Sequence, residues 1–260
     1  MTARRSVLHV LEHHLLIYRR TWRGTLFISF FSPILYLLAM GLGLGTLIAR
    51  HHVSGFGPAG YAAFIAPGLL AANTMMTAYS ETTYPIMNRA YWLRTYDSML
   101  ATPLDLRALI TGEVAWLVFR LATVAIAFFL VILLFHSVTS ALAPLAILVS
   151  VLTGLALGLP VMAYSASQIR DNGFAVIGRL IVTPMFILGG TFFPITRLPQ
   201  FAQVIAYLTP LWHGVALSRA LTMGTTLTAG DTLLHLAVLV LYAAAGVYAA
   251  TITYRRRLAQ

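Results

Sequence analysis

Between Arg120 and Arg170 the sequence contains no Asp, Glu, Lys or Arg. A soluble fold must present charge to water along its surface, and about a quarter of its residues are charged. Here only 9% are charged, against 59% hydrophobic. The stretch is also too long for one helix across hydrocarbon, which takes about 20 apolar residues. It divides at the turn-like His136-Ser137-Val138-Thr139-Ser140 into two spans, about 114–135 and 142–164.

The same reading places the other spans. One lies between Arg23 and Arg50, one at about 58–80, one at about 174–193 and a last between Asp231 and Arg255. Six helices define an all-α integral membrane fold, with both termini on one side. The chain then reads as a single transmembrane domain over 1–260. Its parts are an amphipathic interface helix (1–23), two spans and a cytoplasmic segment (24–112), three spans (113–193), an outer helical segment (194–230), and a last span with a basic tail (231–260).

All seventeen basic residues are arginine. Arg4, Arg5, Arg19, Arg20, Arg23, Arg89, Arg94, Arg107, Arg170, Arg255, Arg256 and Arg257 fall on one face of the expected topology; Arg50, Arg197 and Arg219 fall on the other. The positive-inside rule makes the richer face cytoplasmic, in a cell membrane with both termini inside. A formal charge of +10 also suits nucleic acid, but its clustering between uncharged stretches argues for membrane lipids as the partner. Cysteine is absent, which excludes disulfides, thiolate metal sites and a cysteine nucleophile.

The first 23 residues lack an uninterrupted apolar core, so no cleavable signal peptide is expected. Val7, Leu11, Leu15, Tyr18 and Trp22 form a helical stripe, which suits a helix lying in the cytoplasmic interface. A plain cytosolic extension of the first span is the other reading. In the cytoplasmic segment Thr102 reads as an N-cap with Pro103 at the first helical position. One helix should stop near Ala101 and another start at Pro103. In the outer segment Phe201, Val204, Ile205 and Leu208 repeat at helical spacing until Pro210 interrupts them. Two short helices in or on the outer leaflet are expected there.

His9-Val10-Leu11-Glu12-His13 has the spacing of an inverted zinc-hydrolase motif, but a third ligand and a cleft are missing and arginines surround it, so neither metal nor catalysis is expected. His51-His52 reads as a solvated loop pair. Lysine is absent, and the phosphate-binding P-loop requires one, so this chain lacks that nucleotide engine. Glu113 and Arg120 are costly at membrane depth and lie near one helix face two turns apart. Partners on neighbouring helices are expected, with headgroup placement and snorkelling as the plain alternative. Gly154 and Gly158 form a G-x-x-x-G for close packing, within the chain or at a dimer seam. Pro33, Pro67, Pro160 and Pro184 should bend their helices.

Two segments carry a family resemblance. One is Arg94-Thr95-Tyr96-Asp97-Ser98-Met99-Leu100-Ala101-Thr102-Pro103-Leu104 with Gly112-Glu113-Val114-Ala115-Trp116. The other is Phe193-Pro194-Ile195, Leu198-Pro199, and Pro210-Leu211-Trp212-His213-Gly214-Val215 with Arg219. In these the chain resembles the type-2 ABC transporter permeases, near the nodulation-factor and drug exporters. The resemblance implies a pair of permeases, same or different, with two cytoplasmic ATPase subunits that carry ATP and Mg. It implies no cofactor or catalysis on this chain. It implies a coupling helix at Arg94, Tyr96, Asp97, Leu100, Thr102 and Pro103, with Tyr96 and Leu100 as apolar anchors. Glu113 and Arg120 would be intramembrane polar groups, and Pro194, Pro199, Pro210, His213 and Arg219 would shape the exit. The expected function is export of an amphipathic lipid, glycolipid, lipo-oligosaccharide or drug. A proton-coupled transporter using Glu113 and Arg120 is the alternative.

Overall fold

The structure, a computed structural model, describes residues 3–50 and 60–258. His51-His52 lies outside the described residues. Helix α1 (Ala3–Tyr36) continues through a π-helical stretch (Leu37–Leu44) into α2 (Gly45–Arg50). Then come α3 (Gly60–Thr82), α4 (Tyr84–Met87), a π turn (Asn88–Trp92), α5 (Thr95–Leu100), α6 (Leu106–Leu134) and α7 (Leu145–Ser167). Helices α8 (Asn172–Ile177) and α9 (Thr183–Leu188) are joined by a π turn (Gly178–Val182). The chain ends with α10 (Gln200–Leu208), α11 (Pro210–Met223) and α12 (Ala229–Leu258).

Among the described residues four helices are long and apolar enough to cross a membrane: Ser6–Leu47, Leu106–Leu134, Leu145–Ser167 and Ala229–Leu258. The other two expected spans correspond to α3 and to the shorter apolar run Asn172–Leu188. Helix α3 sits at the centre. Ile65, Ala66, Leu70, Ala71, Ala72 and Met75 are wholly buried, because α6, α7 and α11 close around it. Such an interior helix need not be apolar on every face, since protein, not lipid, surrounds it.

Small residues set the close approaches. Gly154 faces Leu121 and Thr74, and Gly158 faces Ala78 and Leu117, so the G-x-x-x-G seats α7 against α3 and α6 of the same chain. Helix α12 meets α7 where Gly246 lies on Pro160; a Cβ there would fall 2.5 Å from the proline Cδ. Pro33, Pro67 and Pro160 lie inside helices, and Pro184 opens α9. The π stretches after Pro33 and before Pro184 adjust the backbone where straight α-helix is interrupted.

Two expectations are corrected. Residues 1–23 do not form a separate interface helix: α1 runs unbroken into the first span, since apart from Gly24, with open space around it, neither glycine nor proline interrupts it before Pro33. Its inward stripe is Ser6, Val10 and His14, all buried, while Leu15 and Trp22 are exposed. The helix after the cytoplasmic turn is capped by Asp105, whose carboxylate accepts from the Ala108 N–H at 3.3 Å; Thr102 and Pro103 lie in the turn before it. The stop after Leu100 is as expected.

Helices α10 and α11 form a hairpin pinned at both ends. Thr139 and Ser140, between α6 and α7, donate backbone N–H groups to Thr222 O at the far end of α11. At the hairpin tip the Tyr242 hydroxyl donates to Leu208 O at 2.8 Å. Tyr242 lies about 20 Å along α12 from its start at 1.5 Å per residue, so the hairpin re-enters the helical body to mid-depth. The Phe201, Val204, Ile205 and Leu208 stripe is the exposed side of α10.

The Gly246–Pro160 contact is the tightest seam between α7 and α12, and overpacking costs about 1–3 kcal/mol. Gly246→Leu should lower the thermal unfolding midpoint of the purified protein by several degrees. An unchanged midpoint would remove this contact from the determinants of packing.

Candidate functional site

Glu113 is the most deeply buried acid in this arrangement, at 2% exposure on α6. Three elements supply its surroundings. His14 of α1 donates from Nε2 to Glu113 Oε1 at 3.0 Å, and Arg89 of the Asn88–Trp92 turn donates from Nη2 to Oε2 at 2.9 Å. Both carboxylate oxygens are thereby satisfied by charge-capable donors. Arg89 Nε donates onward to the Tyr96 hydroxyl at 3.2 Å, and the Tyr96 ring lies 5.7 Å from that of Tyr254 on α12. The His14 ring stacks on Trp116 at 4.9 Å. Gly112 makes the α1 approach possible, because a Cβ there would lie 2.6 Å from Val10.

The network binds α1, α5, α6 and α12 at the end of the molecule where both the start of α1 and the end of α12 lie. Arg257 adds a clamp, donating from Nη1 to Ala166 O and Gln168 O at 2.7 and 2.9 Å. Burial alone would lower the Arg89 guanidinium, but the Glu113 carboxylate beside it prevails and holds it above its ordinary value. Burial pushes the Tyr96 phenol up, with Arg89 opposing. Tyr96 therefore stays a neutral hydroxyl that accepts from a fixed cation.

Tyr96 is wholly buried, which corrects the expectation that it points outward as an anchor. Leu100 is half-buried against the core. The side chains that do face outward are Trp92 and Leu93, at 51% and 67% exposure, with Arg94, Asp97 and Ser98 beside them. Arg94 has φ 49° and caps α5, a left-handed conformation that costs a non-glycine residue of the order of 1 kcal/mol. It turns the chain sharply, so that α5 presents Asp97 and Ser98 outward and buries Tyr96.

About two turns beyond Glu113, Arg120 donates from Nε to Glu81 Oε1 of α3 at 2.8 Å, and its Nη2 lies 2.8 Å from the same oxygen. Its guanidinium lies 5.2 Å from the Tyr18 ring centroid. Its Nη1 is buried and has no hydrogen-bond partner among the described residues. Glu113 and Arg120 thus have partners on neighbouring helices and do not pair with each other. Arg120 and Glu81 stand in a cleft of about 500 Å³ between α1, α3 and α6. Thr21, Thr25, Ser29 and Ser32 line it from α1, and Asn73, Thr77 and Ser80 from α3. The charge-based sequence reading missed these residues. Their signal was polar spacing at one-turn intervals inside an otherwise apolar span.

At the opposite end His213 Nε2 donates to Tyr207 O at 3.0 Å, and its Nδ1 lies 2.7 Å from Nδ1 of His235. With the His213 proton committed to the carbonyl, its Nδ1 is the acceptor and His235 the donor. Arg219 donates to Phe64 O and Gly190 O at 3.3 and 2.9 Å, tying α11 to α3 and to the loop after α9. Pro210 opens α11 and Pro199 caps α10, while Pro194 precedes a short 3-10 turn at Ile195–Arg197. Among the described residues no three His, Asp or Glu side chains gather to hold a metal; His9 and Glu12 form only an exposed pair at 3.6 Å.

A helical body with apolar outer faces around an inner polar network is the architecture of a multi-pass membrane protein. A family model described as ABC-2 type transporter matches residues 5–223, and the chain belongs to that family. It is 33% identical to nodulation protein J of Rhizobium leguminosarum bv. viciae over 228 residues, 87% of this chain and 85% of that protein. To nodulation protein J of Neorhizobium galegae it is 30% identical over 253 residues, 96% and 93% of the two chains. It is also 28% identical to the inner membrane transport permease YadH of Escherichia coli K12 over 206 residues, 75% and 73%.

Removing one member of a buried ion pair leaves the other uncompensated, at about 3–5 kcal/mol. Glu113→Ala and Arg89→Ala should each lower stability by that order. The double variant should cost clearly less than the sum, because the two share one interaction. Additive losses in a thermal or denaturant unfolding cycle would show that the pair is not coupled.

Proposed function

We propose that this chain is the membrane-spanning subunit of an ABC exporter, working as a pair of permeases on two separate cytoplasmic ATPases. It spans the cell membrane six times with both termini in the cytoplasm and moves an amphipathic substrate outward. The arginine asymmetry supports the orientation. Family membership and the absence of lysine from the chain support the borrowed energy source. The observation that carries the reading is the exposed Trp92–Leu93–Arg94–Asp97 surface, backed by Arg89 and Tyr96 and through them by Glu113 of α6. An ATPase that pushes on this surface pushes on α1, α6 and α12 together. The proton-coupled alternative is weaker, since Glu113 and Arg120 are both held in ion pairs and neither is a free carrier.

Truncating an anchor at a protein interface costs about 2 kcal/mol or more, roughly a thirtyfold loss of affinity. Trp92→Ala with Leu93→Ala should release the ATPase on co-purification while leaving membrane insertion intact; undiminished co-purification with substrate-stimulated hydrolysis would sink the docking assignment. The cysteine-free chain also permits a direct topology test. A cysteine at exposed Ala141 should react with an impermeant reagent from outside intact cells, and one at exposed Ser98 should not. Labelling of Ser98 from outside would reverse the orientation.

A further inference from the structure

Polar side chains at membrane depth are costly in hydrocarbon, so a cleft lined by them is filled by water, protein or a polar ligand. The cleft between α1, α3 and α6 falls within the range of small-ligand sites, roughly 300–1,000 Å³. Its hydrogen-bonding character is lopsided. Thr21, Thr25, Ser29 and Thr77 donate their hydroxyl protons to the carbonyls of Tyr18, Thr21, Thr25 and Asn73. What these hydroxyls offer a ligand is oxygen lone pairs. Glu81 adds its second carboxylate oxygen, because Arg120 occupies only Oε1. The donors on the other side of the balance are fewer: the Asn73 amide, the hydroxyls of Ser32 and Ser80, and the buried Nη1 of Arg120, which lacks a partner among the described residues. Ile28 of α1 lines the cleft and is itself an exposed apolar residue, with exposed Phe31 following it along the helix.

We propose that this cleft, built within one permease, binds the hydroxyl-rich head group of an amphipathic molecule. The ligand's O–H groups donate to Thr21, Thr25, Ser29, Thr77 and Glu81. Arg120 and Asn73 donate to its acceptor oxygens, and its alkyl chain lies along Ile28 and Phe31. The Arg120–Glu81 pair is neutral as a unit, so selection is by hydrogen-bond polarity and not by net charge. A phosphodiester head group presents acceptors alone and would face Glu81 and four lone-pair oxygens with no proton to give. The amphipathic nature of the ligand rests on the export reading; the donor-seeking character of the cleft rests on this chain alone.

The test uses the purified full-length permease in a polyoxyethylene ether detergent, titrated with dodecyl maltoside and followed by native mass spectrometry. The wild type should retain the maltoside, and dodecylphosphocholine at equal concentration should fail to displace it. Thr25→Val with Ser29→Ala and Thr77→Val should weaken retention on the order of tenfold, two to three hydrogen bonds being lost. These changes replace polar with apolar groups at membrane depth and leave the Glu113 network intact; thermal unfolding in parallel confirms a folded variant. Equal retention by the folded variant, or displacement by the phosphocholine at parity, overturns the proposal. ATPase co-purification is scored separately: its absence from the wild type with maltoside binding intact sinks the export reading and not the site. In vesicles reconstituted with the ATPase, ATP-dependent movement of the maltoside between leaflets identifies cargo, and a retained one-to-one complex that stays put identifies a resident lipid.

Discussion

The Glu113 carboxylate is taken out of water on a helix of the membrane body, and its surroundings are arranged to make that tolerable. An isolated buried carboxylate would neutralise or force the packing open. Here each oxygen receives a donor from a different element, His14 on one side and Arg89 on the other. Since Arg89 belongs to the turn before α5 and His14 to α1, satisfying one side chain fixes the relative position of three segments. Tyr96 and Tyr254 extend the constraint to the last helix. Packing around this point is correspondingly close, as Gly112 against Val10 records.

The second ion pair obeys a different logic. Arg120 and Glu81 join α6 to α3 but leave donor and acceptor capacity unused, and they border open space. The Glu113 carboxylate is fully partnered and holds helices together; the Arg120 pair is incomplete and looks into a cleft. Glu113 and Arg120 of α6 were visible in the sequence as expensive groups one heptad apart, yet only their surroundings distinguish a strut from a recognition element.

The all-helical class and the main helices could be read from the sequence, because hydrocarbon imposes uninterrupted apolar runs and leaves few alternatives. The break after Leu100 and the hairpin around Pro210 were legible for the same local reason: turn and proline chemistry act on adjacent residues. What escaped were matters of facing. Tyr96 looked like an outward aromatic anchor, since nothing near it in sequence reveals that Arg89 and Tyr254 enclose it. The protein-facing stripe of α1 contains a histidine and a serine, so hydropathy did not mark it. The cleft's hydroxyls went unnoticed because serine and threonine barely disturb hydropathy when their protons return to the helix carbonyls.

The continuity of α1 has a mechanical meaning. His14, Tyr18, Thr21, Thr25 and Ser32 follow one another at three-, four- and seven-residue steps, and so share one longitudinal face of a helix unbroken from Ala3 to Tyr36. His14 touches the Glu113 carboxylate; Thr21, Thr25 and Ser32 line the cleft. A rotation of this rod about its own axis works as a camshaft does: the lobe that lifts His14 off Glu113 also swings the hydroxyls away from Arg120 and Glu81. Beyond Tyr36 the rod passes into the π-helical stretch Leu37–Leu44, a change of hydrogen-bond register that separates it from α2.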